Sequence, residues 1–311
     1  MSVIYTVTLN PAFDVHYQMP SFEARKENYV TQATIQAGGK GINVSRVLTN
    51  AGVPSTAYVV LGQENAPAFE AALLRDGVSY VPFYTAGRIR ENMTLHPQND
   101  KETRISLDTF SMQSSVFAEL EAALSTAKEG ILVFAGRLPR GISKEVILAF
   151  LTRCKARGMR VVIDSNSFTA EDLRAVSPWF IKPNEQEVAV FAGETPKTLS
   201  EAAAIARRMV QSGISQNVLI TLGGDGAAWS DGTRAFGFSV PKIEHPVSTI
   251  GAGDSTVAGL LVAHEKGLTD ANALCLALSY GTAACLTEGT LPPRTEDVNR
   301  ICAQIETVSF G

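Results

Sequence analysis

ILVFAGRLPRGISKEVILAFLTRCKARGMRVVI, residues 131–163, carries two apolar β-rich runs, Ile131 to Ala135 and Val161 to Ile163, on either side of a helical face made by Val146, Ile147, Phe150, Leu151 and Cys154. Strands that are apolar without alternation belong to sheets covered on both faces, and parallel neighbours need a crossover of this length between them. The segment predicts one βαβ unit. The same alternation extends in both directions. Upstream, Ile4 to Leu9 reads as a strand, and Ile42, Val44, Val47, Leu48 and Ala51 fall at helical spacing behind Gly38, Gly39 and Gly41. Downstream, Phe180 to Ile181 and Val218 to Leu222 read as strands separated by the helical stretches Glu185 to Ala192 and Leu199 to Gln211. Past Gly253 the chain reads as largely helical. The fold class is therefore α/β, with a central, mostly parallel sheet between helices.

Two segments break the pattern: Asp14 to Gln36 and Arg88 to Phe110 mix strand formers with polar residues, as half-exposed strands do. They predict a small accessory sheet, with strands at about 10–36 and 86–110. No Pro/Gly/Ser linker, charge block or repeat separates them from the rest, so the expectation is one domain over residues 1–311.

Composition excludes several classes of function. The net charge of −4 gives no counterion-release drive toward nucleic acid, and no uncharged stretch approaches the roughly 20 apolar residues of a membrane helix. Met1 to Asn10 lacks a basic and apolar leader, so the protein is expected in the cytoplasm. Cys154, Cys275, Cys285 and Cys302 lack CxxC spacing and read as reduced core thiols, and the four histidines form no metal or triad motif.

Three glycine-rich turns, one Asn/Glu helix start and an arginine pair could carry chemistry. In Ser248 to Ser255, STIGAGDS, the small residues Gly251, Ala252 and Gly253 let backbone amides converge at the start of a helix expected from Thr256 to about Lys266, where the dipole favours anions. Asp254 in the same turn could accept the proton of a hydroxyl attacking a phosphoryl group; the alternative is a turn with Asp254 as N-cap. Gly38-Gly39-Lys40-Gly41-Ile42-Asn43 lacks P-loop spacing, and its bare backbone could lie against a polyol, with Lys40 and Asn43 donating; a plain turn with a solvated lysine is the alternative. Asn184 and Glu187 fall on one face of a helix start, as oxygen ligands of magnesium or as N-cap and first-turn acid. Thr221 to Gly226 ends a strand in a glycine turn, where open α/β sheets bind ligands. Arg88 and Arg90, read along one strand, point to one side and could grip a phosphate.

Taken in order, these motifs resemble the PfkB, or ribokinase-like, carbohydrate kinase family over essentially the whole chain. Gly39 to Asn43 resembles its sugar motif, Asn184-x-x-Glu187 its magnesium motif, and Gly251 to Asp254 its anion hole and catalytic base. Thr8 to Asp14, TLNPAFD, with Gly87 to Arg90, is similar to the branch acting on sugar monophosphates. The resemblance implies a three-layer α/β/α fold with a small β-lid, and ATP and Mg²⁺ as cofactors. It implies phosphorylation of a ketohexose monophosphate, foremost fructose 1-phosphate to the 1,6-bisphosphate. Tagatose 6-phosphate, fructose 6-phosphate or an unphosphorylated sugar or nucleoside are the alternative acceptors, and a sensor without turnover is the alternative class.

The resemblance also assigns roles. Asp14, Gly38, Gly39, Lys40 and Asn43 would line the sugar, and Arg88 and Arg90 would hold its phosphate. Asp254 would be the base, with the amides of Gly251, Ala252 and Gly253 as the anion hole. Lys182, Asn184, Thr221, Gly223, Gly226, Gly253 and Gly281 would surround the nucleotide, and Asn184 and Glu187 the metal. Where the branch commonly reads GSLP and DSSG this chain has Gly136-Arg137-Leu138-Pro139 and Asp164-Ser165-Asn166-Ser167, so Arg137 becomes a further candidate for the substrate phosphate. A lid edge left unpaired would offer a surface to a second copy.

Overall fold

The computed structural model describes residues 2–127 and 129–310; Met1, Lys128 and Gly311, which the expected single domain also includes, lie outside the described residues. Seven parallel strands form the body of a ten-stranded sheet: β1 (Val3–Thr8), β4 (Ser55–Gly62), β5 (Tyr80–Thr85), β8 (Gly130–Ala135), β9 (Arg160–Asp164), β10 (Phe180–Ile181) and β11 (Val218–Thr221). Their spatial order is β5-β4-β1-β8-β9-β10-β11. Three antiparallel strands, β12 (Ala227–Ser230), β13 (Ala235–Ser239) and β14 (Glu306–Phe310), extend one edge.

The uniform apolarity of the strands has a direct cause. In β8, Leu132 and Phe134 enter a core under α2 (Ala66–Arg75), α3 (Ser114–Ser125), α4 (Lys144–Ala156) and α7 (Leu199–Gln211). Ile131, Val133 and Ala135 enter a second core under α1 (Lys40–Asn50), α8 (Ala252–Glu265), α9 (Asp270–Ala284) and α10 (Thr295–Cys302). One strand thus feeds two cores, which is why neither face can be polar. At about 25 cal/mol per Å² of apolar surface buried, these two layers supply the main drive to fold. Helices α8 and α9 pack closely through glycine. A Cβ on Gly281 in α9 would stand 2.1 Å from the Thr256 Oγ1 of α8, so any larger residue there would force the helices apart.

A separate four-stranded sheet, here termed the lid, has the order β3 (Gln32–Gly38), β2 (Ala12–Met19), β6 (Arg90–Pro97) and β7 (Thr103–Ser106). Its strands fall within or close to the two expected segments, with one difference. β2 is almost wholly buried rather than half-exposed, because it is central in the lid and covered on both sides. Phe13 packs edge-on against Phe69 of α2, and His16 on the other face meets the loop at Gly289.

Three further expectations need correction. Helix α8 begins at Ala252, four residues earlier than read, so Gly253 and Asp254 lie inside its first turn. The largely helical C-terminal part ends in a strand, β14, which becomes the edge of the main sheet because Glu306 to Phe310 pairs with β13 despite its exposure. All four cysteines are free thiols; Cys154 is buried, whereas Cys275, Cys285 and Cys302 are half-buried rather than core. No helix among the described residues is long and apolar enough to cross a membrane.

Candidate active site

The parallel strands deliver Asp164, Lys182 and Thr221 to their C-terminal ends, where the α1 and α8 N-termini meet them. Gly251 caps α8 at φ 81°, a left-handed conformation that glycine adopts freely, and has no side chain to offer the exposed amides. Ala252 N and Ser255 N donate to Thr249 O and Gly251 O, while Gly253 N and Asp254 N have no partner among the described residues. This is an anion site aimed by the helix dipole. Asp254 stands at the third helical position, not at the N-cap, and its Oδ2 accepts from Asn43 Nδ2 at 2.7 Å.

Charge around Asp254 is arranged in a chain. Asp164, buried at the end of β9, accepts from Lys40 Nζ at 2.9 Å. Lys182, also buried, lies against Gly253; a Cβ there would come to 3.0 Å from its Nζ. Burial alone would push Asp164 up, yet Lys182 and Lys40 hold it below the usual carboxylate range. Lys40 is held above its ordinary value because Asp164, Asp254 and Glu187 outweigh its own desolvation. For Asp254 the balance is reversed: burial and the nearby Asp164 raise it to about 6, against the opposing pull of Lys40, the Asn43 hydrogen bond and Lys182. A carboxylate shifted in this direction is suited to proton transfer near neutral pH. Lys40 therefore stays partly exposed yet is tied inward: its ion pair with Asp164 bridges two distant turns.

Beside this centre lies a cavity of about 550 Å³, and Asn184, Thr221, Gly223, Gly226, Gly253 and Gly281 all line it. The expected nucleotide residues thus converge on one space, except Lys182, which shares a narrow recess with Asp164 and Glu187. Its volume falls in the range of roughly 300–1,000 Å³ usual for small-molecule sites. Asn184 and Glu187 form a capping box on α6 (Glu185–Ala192): Glu187 N donates to Asn184 Oδ1 at 2.9 Å and Asn184 N to Glu187 Oε2 at 3.0 Å. The structure shows the capping arrangement that the sequence left as the alternative. Glu187 Oε1 has no hydrogen-bond partner among the described residues, and Glu187 borders the same recess as Asp164. Magnesium retains most of its waters and needs only one or two carboxylates beside substrate phosphates, and these residues fit that demand. No cluster of three or more His, Cys, Asp or Glu is present among the described residues.

The lid supplies the other wall. Asp14 Oδ1 accepts from Asn92 Nδ2 at 2.9 Å and from Arg104 Nη2 at 3.2 Å. Its Oδ2 lies where a Cβ on Gly38 would stand, 2.0 Å away, so only glycine leaves room for it. Arg90 is held by Asn10 and Asn92 at 2.8 and 2.6 Å and feels the charges of Asp14, Arg137, Arg104 and Asp108. Arg140 and Arg137 approach Asp108 at 3.4 and 4.0 Å. Guanidinium groups outnumber carboxylates at this mouth, which favours an anionic ligand.

Arg88 does not join them. It precedes β6 rather than lying in it, pairs with Glu91 at 3.6 Å, and borders a depression with Phe13 and Val15 on the opposite face of the lid. The expected alternation with Arg90 fails because the chain is still turning at Gly87, at φ 92°, so the period of two has not begun. Sequence reading missed Arg104, Asp164, Arg46 and Thr290. Asp164 was recoverable as a carboxylate ending an apolar strand; the others carry no local signal.

A pfkB family carbohydrate kinase model matches residues 8–297 of the chain. The 1-phosphofructokinase of Borreliella burgdorferi is 32% identical over 307 residues, covering 97% of each chain. That of Haemophilus influenzae is 29% identical over 286 residues, 91% of each. Phosphofructokinase-2 from Escherichia coli in complex with substrates and products superposes with a TM-score of 0.90 at 25% identity, over 97% of this chain and 98% of that one.

Proposed function

The chain belongs to the pfkB family of carbohydrate kinases, and on that premise we propose that it transfers the γ-phosphoryl group of ATP to a hydroxyl of a ketohexose monophosphate, with fructose 1-phosphate going to the 1,6-bisphosphate. The observation that carries this reading is Asp254, buried, hydrogen-bonded by Asn43, and set between the cavity of α8 and the lid. In the reaction the acceptor O–H gives its proton to Asp254 as its oxygen bonds to the γ-phosphorus, and the bond to the ADP oxygen breaks. Gly253 N and Asp254 N donate to the phosphoryl oxygens as charge develops, and Lys182 adds a fixed positive charge beside them. Magnesium, held by Glu187 and the nucleotide phosphates, would neutralise charge on those phosphates. The free Oδ2 of Asp14 takes sugar hydroxyls, and Arg90, with Arg104 and Arg137, takes the phosphate already on the acceptor. Gly223, Gly226 and Gly281 line the cavity that would take the nucleotide. Exposed Tyr29, Ile35 and Ile105 along the lid support pairing with a second copy there.

Coupled-assay measurement of ADP release with Mg-ATP tests the reading over fructose 1-phosphate, fructose 6-phosphate, tagatose 6-phosphate and the free sugars. The highest kcat/KM is expected with fructose 1-phosphate. Turnover confined to free sugars, or binding without ADP release, would overturn it. A second expectation concerns pH. Because the base must be ionised and its folded value is raised to about 6, kcat/KM should be half-maximal near pH 6, fall below it and level off about one pH unit above. A profile with no acid limb above the ordinary carboxylate range would contradict the assignment.

A further inference from the structure

Arg46, on α1 one turn beyond Asn43, is buried with 4% of its surface exposed, and all three of its guanidinium nitrogens donate, to four partners. Nε donates to Asp76 Oδ2 at 2.7 Å, Nη2 to Ala37 O in β3, and Nη1 to both Asn43 Oδ1 and Thr290 Oγ1 at 3.1 Å. The contact with Asn43 fixes an orientation. A guanidinium has donors only, so the Asn43 oxygen must face it and the Asn43 NH₂ must face away. What lies on that side is Asp254 Oδ2, at 2.7 Å. A flipped amide would set NH₂ against guanidinium and oxygen against carboxylate, both repulsive. Without Arg46 the ionised Asp254 would still draw the NH₂, but a protonated Asp254 could donate its O–H to a flipped amide oxygen; Arg46 occupies that oxygen and denies the neutral acid this partner. Thr290 in turn packs on Gly251, 3.3 Å from where its Cβ would be, and binds Gln36 of β3.

We infer that Arg46 is a positioning residue for the phosphoryl transfer: it locks the Asn43 amide with its NH₂ toward Asp254, and so holds the carboxylate in its ionised, proton-accepting form. The inference rests on the reading of Asp254 as the base. The charged groups facing Asp254 are Lys40, Lys182 and Asp164, and the one facing Arg46 is Asp76; none of them can orient the Asn43 amide.

Profiles of kcat/KM against pH on the full-length chain test it. Asn43→Ala and Arg46→Met should each move the acid limb upward by about one pH unit, the scale of one lost hydrogen bond to a charged group. The double variant should move it no further than Asn43→Ala alone. Arg46→Lys, whose ammonium still donates to Asn43 Oδ1, should return the limb most of the way. Asp76→Asn removes the Arg46 ion pair without touching the amide, so it should lower Tm and leave the limb in place. Additive shifts in the double variant, or an unmoved limb in Arg46→Met, would overturn the inference. If Arg46→Met does not fold, an Arg46→Lys limb displaced as far as that of Asn43→Ala has the same effect. Asp254→Asn separates the two readings: undiminished turnover in that variant defeats the base itself, not only its positioning.

Discussion

Replacement of Asp254 by Asn is expected to lower kcat by about a hundredfold or more while the protein stays folded, since a general base contributes roughly 10²–10⁴ in rate. Asn keeps the size of the side chain and can still meet the Asn43 amide through its carbonyl oxygen, so KM for nucleotide and acceptor should change little. The loss falls on kcat because the proton acceptor is engaged only in the transition state. Phosphoryl transfer otherwise depends on positioning and charge neutralisation, and the amides of Gly253 and Asp254, with Lys182, remain in this variant. Residual turnover well above the uncatalysed rate is therefore consistent with the mechanism. Steady-state kinetics with Mg-ATP, alongside a thermal melt, decide the matter; near-wild-type kcat removes Asp254 from the chemistry.

The second large effect separates two arginines that the sequence treats as a pair. Arg90→Ala should raise KM for the sugar phosphate by roughly 30–150-fold, equivalent to about 2–3 kcal/mol for charge-assisted hydrogen bonds lost from a partly buried guanidinium. Arg88→Ala should leave KM within about twofold, because an exposed ion pair of this kind contributes little. The reason is spatial. Arg90 is braced by Asn10 and Asn92 on the face that carries Asp14, whereas Arg88 lies on the far side with Glu91. Equal effects of the two substitutions would show that the acceptor phosphate does not sit on the Asp14 face of the lid. Unchanged KM in both would favour an unphosphorylated acceptor.

How far the site could be read from sequence depends on the range of each interaction. Glycine turns announce themselves locally, so Gly38, Gly39, Gly223, Gly226 and Gly251 to Gly253 were legible, and most line the cavity or the lid wall. Helices α6 and α7 were legible to the residue, because helical period and flanking caps are local properties. The start of α8 was misread since Gly251 to Gly253 look like a loop, and only burial against α1 and α9 makes their continuation helical. The Arg88–Arg90 pairing failed for a related reason: alternation is informative only once a strand has begun.

Sequence by itself determined the α/β class, the order of the chemical turns, the lid segments and the identity of Asp254 as the candidate base. The class and the accessory strands follow from periodicity, whereas the lid and the role of Asp254 follow from the glycine turns taken together with the resemblance to the carbohydrate kinase family. Tertiary structure decided the rest. It joined Lys40 to Asp164 across 124 residues and Asn43 to Asp254 across 211, placed Arg104 on Asp14, and buried Arg46 where it orients an amide. No local pattern encodes such pairs, since they form only when strand ends from distant parts of the chain are brought to one edge of the sheet. The proton affinity of Asp254 belongs to the same category, because burial and the charges of Lys40, Asp164 and Lys182 exist only in the folded protein.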